Sequence, residues 1–127
     1  MYETVVGERT RVIDGAILTG NMIIEEDVFI GPGARFVNDN STYTARFGLG
    51  KLIWKGPTIH RSAFIGAGAN MSGGVEIGEG ALIAPNAMVT HDVDPWTVVA
   101  GVPARKMRDI DPKMRRMILN HVAKFNK

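Results

Sequence analysis

Residues 65–93 read IGAGANMSGGVEIGEGALIAPNAMVTHDV, and a large apolar residue returns at every sixth position. The same frame starts at Val6 and runs through Val12, Leu18, Ile24, Ile30 and Phe36. It resumes at Ile59 and continues through Ile65, Met71, Ile77, Ile83 and Val89. Four places on from each stands a smaller residue: Thr10, Ala16, Met22, Val28 and Ala34 in the first block, where the pattern fails at Asn40. In the second block these are Ala63, Ala69, Val75, Ala81, Ala87 and Val93. A period of six would carry the apolar residue off one face of an α-helix, and an extended strand would alternate at two. Glycines 31, 33, 66, 68, 73, 74, 78 and 80 also disfavour helix. Short strands with a corner after each hexad meet both constraints. Three such sides close a triangular coil of about 18 residues, and stacked coils bury a continuous apolar column.

At 127 residues and 45% hydrophobic content the chain is one domain. The repeats assign residues 1–107 to a β-helical body and 108–127 to a C-terminal helix. With no cysteine, disulfides, thiolate metal sites and a cysteine nucleophile are excluded. The first residues, MYETVVGERTRVIDG, lack a basic segment leading into an apolar core, and no apolar run reaches the roughly 18 residues of a membrane span. A cytoplasmic location without a membrane partner is expected. The net charge of +2 is uneven: residues 105–127 hold eight Lys or Arg against two Asp. That basic end suits a polyphosphate or a solvated helix face. No aromatic residues interleave with these charges, so no nucleic-acid partner is expected.

After the repeats comes VTHDVDPWTVVAGVPARKM. Hexads followed by a proline-containing turn and a strand ending in Gly101, Pro103 and Ala104 resemble the hexapeptide-repeat acyltransferases over residues 6–107. The resemblance implies an all-β fold: a left-handed parallel β-helix of about four coils, with one excursion loop over about residues 37–58 and a C-terminal α-helix. It also implies acetyl-CoA as co-substrate, no metal, and a homotrimer with sites between subunits.

The excursion is the most informative departure. Phe36 and Ile59 are 23 residues apart, which is not a multiple of six. The intervening segment carries Tyr43, Phe47, Leu49, Leu52, Ile53 and Trp54, too many apolar groups for an idle loop. It either packs on a neighbouring subunit or walls a substrate pocket. Phe36-Val37-Asn38-Asp39 resembles the Phe-x-Asn-Asp segment of nucleotide-sugar N-acetyltransferases, which implies that Asn38 and Asp39 lie near the acceptor's amino group. Asn40, Arg46 and Trp54 are then candidates on the substrate side, with Trp54 a stacking platform or a subunit anchor. That subgroup commonly carries Pro-Arg a few residues later; here Ser41-Thr42-Tyr43 follows. The competing reading of Asn38-Asp39-Asn40 is a turn cluster serving its own backbone.

Acetyl transfer needs an unprotonated nucleophile, a proton acceptor and donors for the developing oxyanion. His60, at a corner just after the excursion, is the candidate base, with an exposed corner histidine as the alternative. His91 stands where the family often has lysine, on the cofactor side or as a surface residue. His121 belongs to the terminal helix. Stacking in steps of a coil puts His60 beneath Gly78, Gly66 beneath Ala84 and Ser72 beneath Thr90. Gly66, Ser72, Gly73 and Ala84 then form either a shallow groove or merely tight corners. Carried over by resemblance, Ser72, Gly73 and Ala84 meet the pantetheine, and Pro103, Arg105 and Lys106 meet the adenine and phosphates.

Asp111 and Pro112 suit a helix start, and Met114, Met117, Ile118, His121, Val122 and Phe125 share one helical face. That face is expected to pack on the prism or a partner and to cap the last coil. A γ-type carbonic anhydrase needs two histidines about five residues apart, and His60, His91 and His121 do not supply them. The expected function is N-acetylation of an amino sugar, nucleotide-linked, in polysaccharide or glycoconjugate synthesis. The alternatives are O-acetylation of a sugar, serine or antibiotic hydroxyl, and a non-catalytic β-helical scaffold.

Overall fold

A computed structural model describes residues 3–125; positions 1, 2, 126 and 127 of the two expected segments lie outside the described residues. The chain winds as a left-handed parallel β-helix with three flat sides. The first sheet stacks β1 (Val5–Val6), β3 (Ile23–Ile24), β6 (Thr58–Ile59) and β9 (Glu76–Ile77). The second stacks β2 (Arg11–Val12), β4 (Phe29–Ile30), β7 (Phe64–Ile65), β10 (Leu82–Ile83) and β12 (Thr97–Ala100), and β13 (Arg105–Asp109) adds antiparallel at its edge. The third stacks β5 (Arg35–Phe36), β8 (Asn70–Met71) and β11 (Met88–Val89). Bridges from Ile17 to Arg35 and from Ile77 to Val93 extend the ladders, giving four coils and part of a fifth.

Each hexad is one side of the triangle. Ile24, Ile30, Ile59, Ile65, Met71, Ile77, Ile83 and Val89 are almost fully buried, as are the smaller companions from Met22 to Ala87 in the second to fourth coils. Val6 and Val12, in the same frame, remain 46% and 42% exposed because the first coil has a neighbour on one side only. The turns use left-handed backbone three residues after each inward side chain: Arg9, Gly15, Asn21, Asp27 and Gly33, then Ser62, Gly68, Gly74, Gly80 and Asn86. Asn and Asp tolerate that region. Arg9 is held there by a two-pronged ion pair to Asp27, one coil on, at 2.8 and 3.0 Å.

The excursion leaves after β5 and returns before β6. It holds one short helix, α1 (Thr42–Arg46). The register crosses it cleanly, since Ile24 pairs with Ile59 just as Ile59 pairs with Ile77.

Two expectations about the C-terminus change. The boundary expected at 107/108 falls inside β13, because Arg105–Asp109 pairs with β12 as a hairpin. Helix α2 (Pro112–Ala123), capped by Asp111 accepting from the Lys113 amide at 2.7 Å, does not close the end of the prism. It runs back along the second sheet. Arg115 lies over the Trp96 ring at 4.9 Å, and Arg9 of the first coil lies over Phe125 at 4.8 Å. A helix of this length spans about 18 Å, close to four coil spacings of about 4.8 Å. No described helix is long and apolar enough to cross a membrane.

Candidate functional site

The residues singled out by sequence fall into four places. At the corner between the third and first sheets, the start of the excursion is tied to the coil above it. The Asn40 amide nitrogen donates to the Gly73 carbonyl at 2.8 Å, and the Gly73 amide donates to Asn40 Oδ1 at 2.9 Å. The Lys55 amide donates to the Asn38 carbonyl at 2.7 Å, closing the neck of the loop, and Asn38 Nδ2 reaches the Gly20 carbonyl at 3.3 Å. Both polar backbone groups of Gly73 are therefore engaged within the chain. A cavity of about 260 Å³ opens beside them, lined by Asn40, Ser41, Ile53, Lys55, Gly73 and Gly74.

Asp39 is buried, and its Oδ1 accepts from the Ser41 amide at 2.5 Å and from the Ser41 hydroxyl. Its other carboxylate oxygen has no protein partner among the described residues. The Ser41 hydroxyl bond, and after it the Ser41 amide, hold the carboxyl below its ordinary value against the opposing effect of burial. A lowered folded-state pKa stabilises the protein above the unfolded carboxyl value and loses that contribution as pH falls through the folded one. Asp39→Asn is therefore expected to melt below the parent at pH 7. The gap should close as the pH drops below about 4. Thermal melts across pH 2–7 would show it, and a gap independent of pH would refute the ionised role of Asp39.

His60 lies at the far edge of the first sheet, at its corner with the second, so one chain alone does not bring it to Asn38 and Asp39. It is half-buried, with Nδ1 3.0 Å from Glu25 Oε1 and Nε2 3.5 Å from Glu76 Oε1. Glu25 Oε1 also accepts from the Arg61 amide at 3.0 Å, which fixes the carboxylate in place. A carboxylate at Nδ1 favours the tautomer with its proton there, leaving Nε2 to accept one. The surrounding groove gathers Glu25, Glu26, Glu76, Glu79, Asp92 and Asp94, with Arg61 paired to Glu79 at 3.0 Å. Such a field attracts an ammonium and repels a diphosphate. Among the described residues, no group of three or more His, Asp or Glu is arranged to hold a metal ion.

The third place adjoins the second through Asp92, Val93 and Asp94, which line both grooves. It contains His91, Arg105 and Lys106 near the open end of the last coil. His91 Nδ1 is 2.9 Å from the Thr90 hydroxyl. Lys106 Nζ pairs with Asp109 at 2.8 Å, and that hydrogen bond raises the lysine's pKa. Among the described residues the Arg105 guanidinium donates only to the neighbouring Ala104 carbonyl, at 3.0 Å, and Pro103 lies exposed two residues before it.

Gly66 and Ala84 occupy the fourth place, the corner between the second and third sheets. A Cβ on Gly66 would lie 2.5 Å from the Pro85 nitrogen and 2.7 Å from the Ile83 carbonyl oxygen. This glycine serves the stacking of coils, and the space above it is filled by backbone. Ser72 donates its amide to the Val89 carbonyl at 2.9 Å in the ordinary ladder. Arg46 ends α1 on the surface, and Trp54 is exposed on the returning limb of the excursion. Sequence reasoning missed Glu25 and Glu76. The signal existed, because Glu25 and His60 each follow the inward isoleucine of their hexad, and superposing the two blocks sets them one above the other.

Residues 56–91 match the model for bacterial transferase hexapeptide (six repeats). The same winding recurs in a hexapeptide-repeat-containing acetyltransferase from Vibrio cholerae, solved with acetyl coenzyme A. It is 29% identical, with a TM-score of 0.75 over 85% of this chain and 61% of that one. Residues 56–91 carry the hexapeptide repeat of bacterial transferases. Among curated relatives, this hexapeptide-repeat chain is 47% identical over 57 residues to 2,3,4,5-tetrahydropyridine-2,6-dicarboxylate N-acetyltransferase of Enterococcus faecalis, covering 45% of this chain and 24% of the relative. It is 34% identical over 91 residues to serine acetyltransferase of Salmonella typhimurium, covering 72% and 30%. The hexapeptide-repeat chain thus spans roughly a quarter to a third of the length of these relatives.

Proposed function

We propose that the protein is an acetyl-CoA-dependent acetyltransferase whose acceptor is the amino group of an amino sugar. The observation that carries the reading is the shared winding with an acetyltransferase that holds acetyl-CoA, over 85% of this chain. The continuous groove from Arg105 and Lys106 past Asp92 to His60 supports it, since its basic end suits phosphates and its other end holds a proton acceptor. In this reading the amine attacks the thioester carbonyl, His60 Nε2 takes the proton it sheds, and the C–S bond breaks as that proton passes to the sulfur, so that coenzyme A leaves as the thiol. Asn38 and Asp39 come from the excursion of an adjacent subunit in a homotrimer, whose contact would cover the exposed Tyr43, Phe47, Leu49 and Ile53.

The six carboxylates around His60 favour an amine and disfavour a diphosphate in the same groove. A nucleotide-linked acceptor would therefore direct its phosphates toward Arg46 and Trp54 on the excursion. A hydroxyl acceptor is the second reading, favoured by the His60–Glu25 pair, which has the form of a base and its orienting carboxylate.

The two readings separate on His60→Ala, assayed with a panel of amino-sugar and hydroxyl acceptors. With an amine the expected loss of kcat/KM is under about tenfold. A hydroxyl acceptor would lose about 10²–10⁴-fold, the usual contribution of general-base catalysis. Turnover confined to hydroxyl acceptors would overturn the amine assignment.

A further inference from the structure

The outward residues of the second sheet form a column in register: Arg11, Phe29, Phe64, Leu82 and Val98. Phe29 and Phe64 stack face to face, with centroids 4.6 Å apart and planes within 8°. Helix α2 covers this column unevenly. At the end near the last coil, Ile118 packs with Leu82, Trp96, Val98 and Ile110 in a closed apolar cluster. Beside this cluster the helix leaves part of the column uncovered. Met114 and Met117 are 51% and 57% exposed, Phe64 is 43% exposed, and none of the helix's residues is fully buried.

The gap is a slot of about 480 Å³ between the Phe29–Phe64 pair and the methionines of α2, with Arg9, Arg11, Asp27 and His121 also on its lining. Of its two arginines, Arg9 is committed to Asp27. Arg11 has no ion-pair partner among the described residues. An apolar slot whose one uncommitted charge is a guanidinium matches a molecule with an alkyl tail and an anionic head. The flexible methionine walls suit a chain of variable shape. A second copy of α2 is a poor occupant, because Lys113, Arg115, Arg116 and Lys124 would face their own counterparts.

We propose that this slot binds a single-chain alkyl carboxylate, its chain laid along Phe29 and Phe64 beneath Met114 and Met117 and its carboxylate paired with Arg11. The site is separate from the grooves assigned to acetyl transfer and does not depend on that reading. The test is calorimetric titration of the full chain with decanoate, decanol and decylamine below their aggregation concentrations. Methyl spectra of protein labelled at methionine would accompany it. Decanoate is expected to saturate at one per chain and to shift the Met114 and Met117 methyls while leaving the buried Met71 methyl in place. Arg11→Glu should weaken decanoate by about tenfold or more, and decylamine should bind at least about tenfold more weakly than decanoate. Absence of saturable decanoate binding, equal binding of decylamine, or an affinity unchanged in Arg11→Glu would each overturn the proposal.

Discussion

Removing residues 40–56 is expected to leave a folded protein and to abolish the proposed acetyl transfer. Phe36 and Ile59 are 23 residues apart, and deleting these 17 brings them to six, the spacing of every other side of the prism. Asp39 would then sit three places after an inward residue, where Asn21 already occupies the left-handed corner of the coil below. The pairing of Ile24 with Ile59 and of Phe36 with Met71 needs no change of register. What disappears is the clamp of Asn40 on Gly73, α1 and the exposed apolar segment that includes Trp54. Melting should stay cooperative, while turnover should fall by about 10³-fold or more, in keeping with loss of the groups that position an acceptor. Circular dichroism and a turnover assay on one preparation decide it. Retained turnover would remove the excursion from the site, and an unfolded product would show that the loop braces the coils.

The second large effect is on stability. Gly66→Val is expected to destabilise the protein by about 3 kcal/mol or more, at the top of the range for overpacking. The new side chain would begin 2.5 Å from the Pro85 nitrogen, and backbone in the adjacent coil cannot rotate away as a side chain would. Gly33→Ala is the control. Nothing lies within 4 Å of its added Cβ, so only the left-handed backbone at φ +71° resists, at about 1–2 kcal/mol. Denaturant midpoints should rank parent, Gly33→Ala, then Gly66→Val. A Gly66→Val midpoint equal to that of the control would mean that neighbouring coils are not packed as closely as described.

The repeat was legible because each side of the triangle needs one inward residue, so the core is written into the sequence every six positions. The excursion was legible for the same reason, as the one place where the count fails. The exposure of Val6 and Val12 was not, since a hexad carries the same residues whether or not another coil covers it. Nor was the course of α2. Its apolar stripe says that a face is buried, and only the Trp96 and Phe125 contacts at its two ends show that it lies along the second sheet.

Small corner residues misled in a particular way. In the sequence Gly66 fits an open groove or a tight corner equally, yet a glycine opens space only when nothing else fills it, and here the Ala84–Pro85 backbone does. The acidic setting of His60 was hidden by distance. Glu25 lies 35 residues before it, and the excursion disguises that separation as unrelated to the coil. Once the 17 extra residues are set aside, the pair falls one coil apart.

Acetyl transfer itself is tested most directly by following free-thiol release from acetyl-CoA by the purified chain, with and without amino-sugar acceptors. The account predicts slow release alone and release at least about tenfold faster with an amino sugar, lost in the variant lacking residues 40–56. No release with any acceptor, together with no measurable binding of acetyl-CoA, would contradict it and leave a β-helical scaffold.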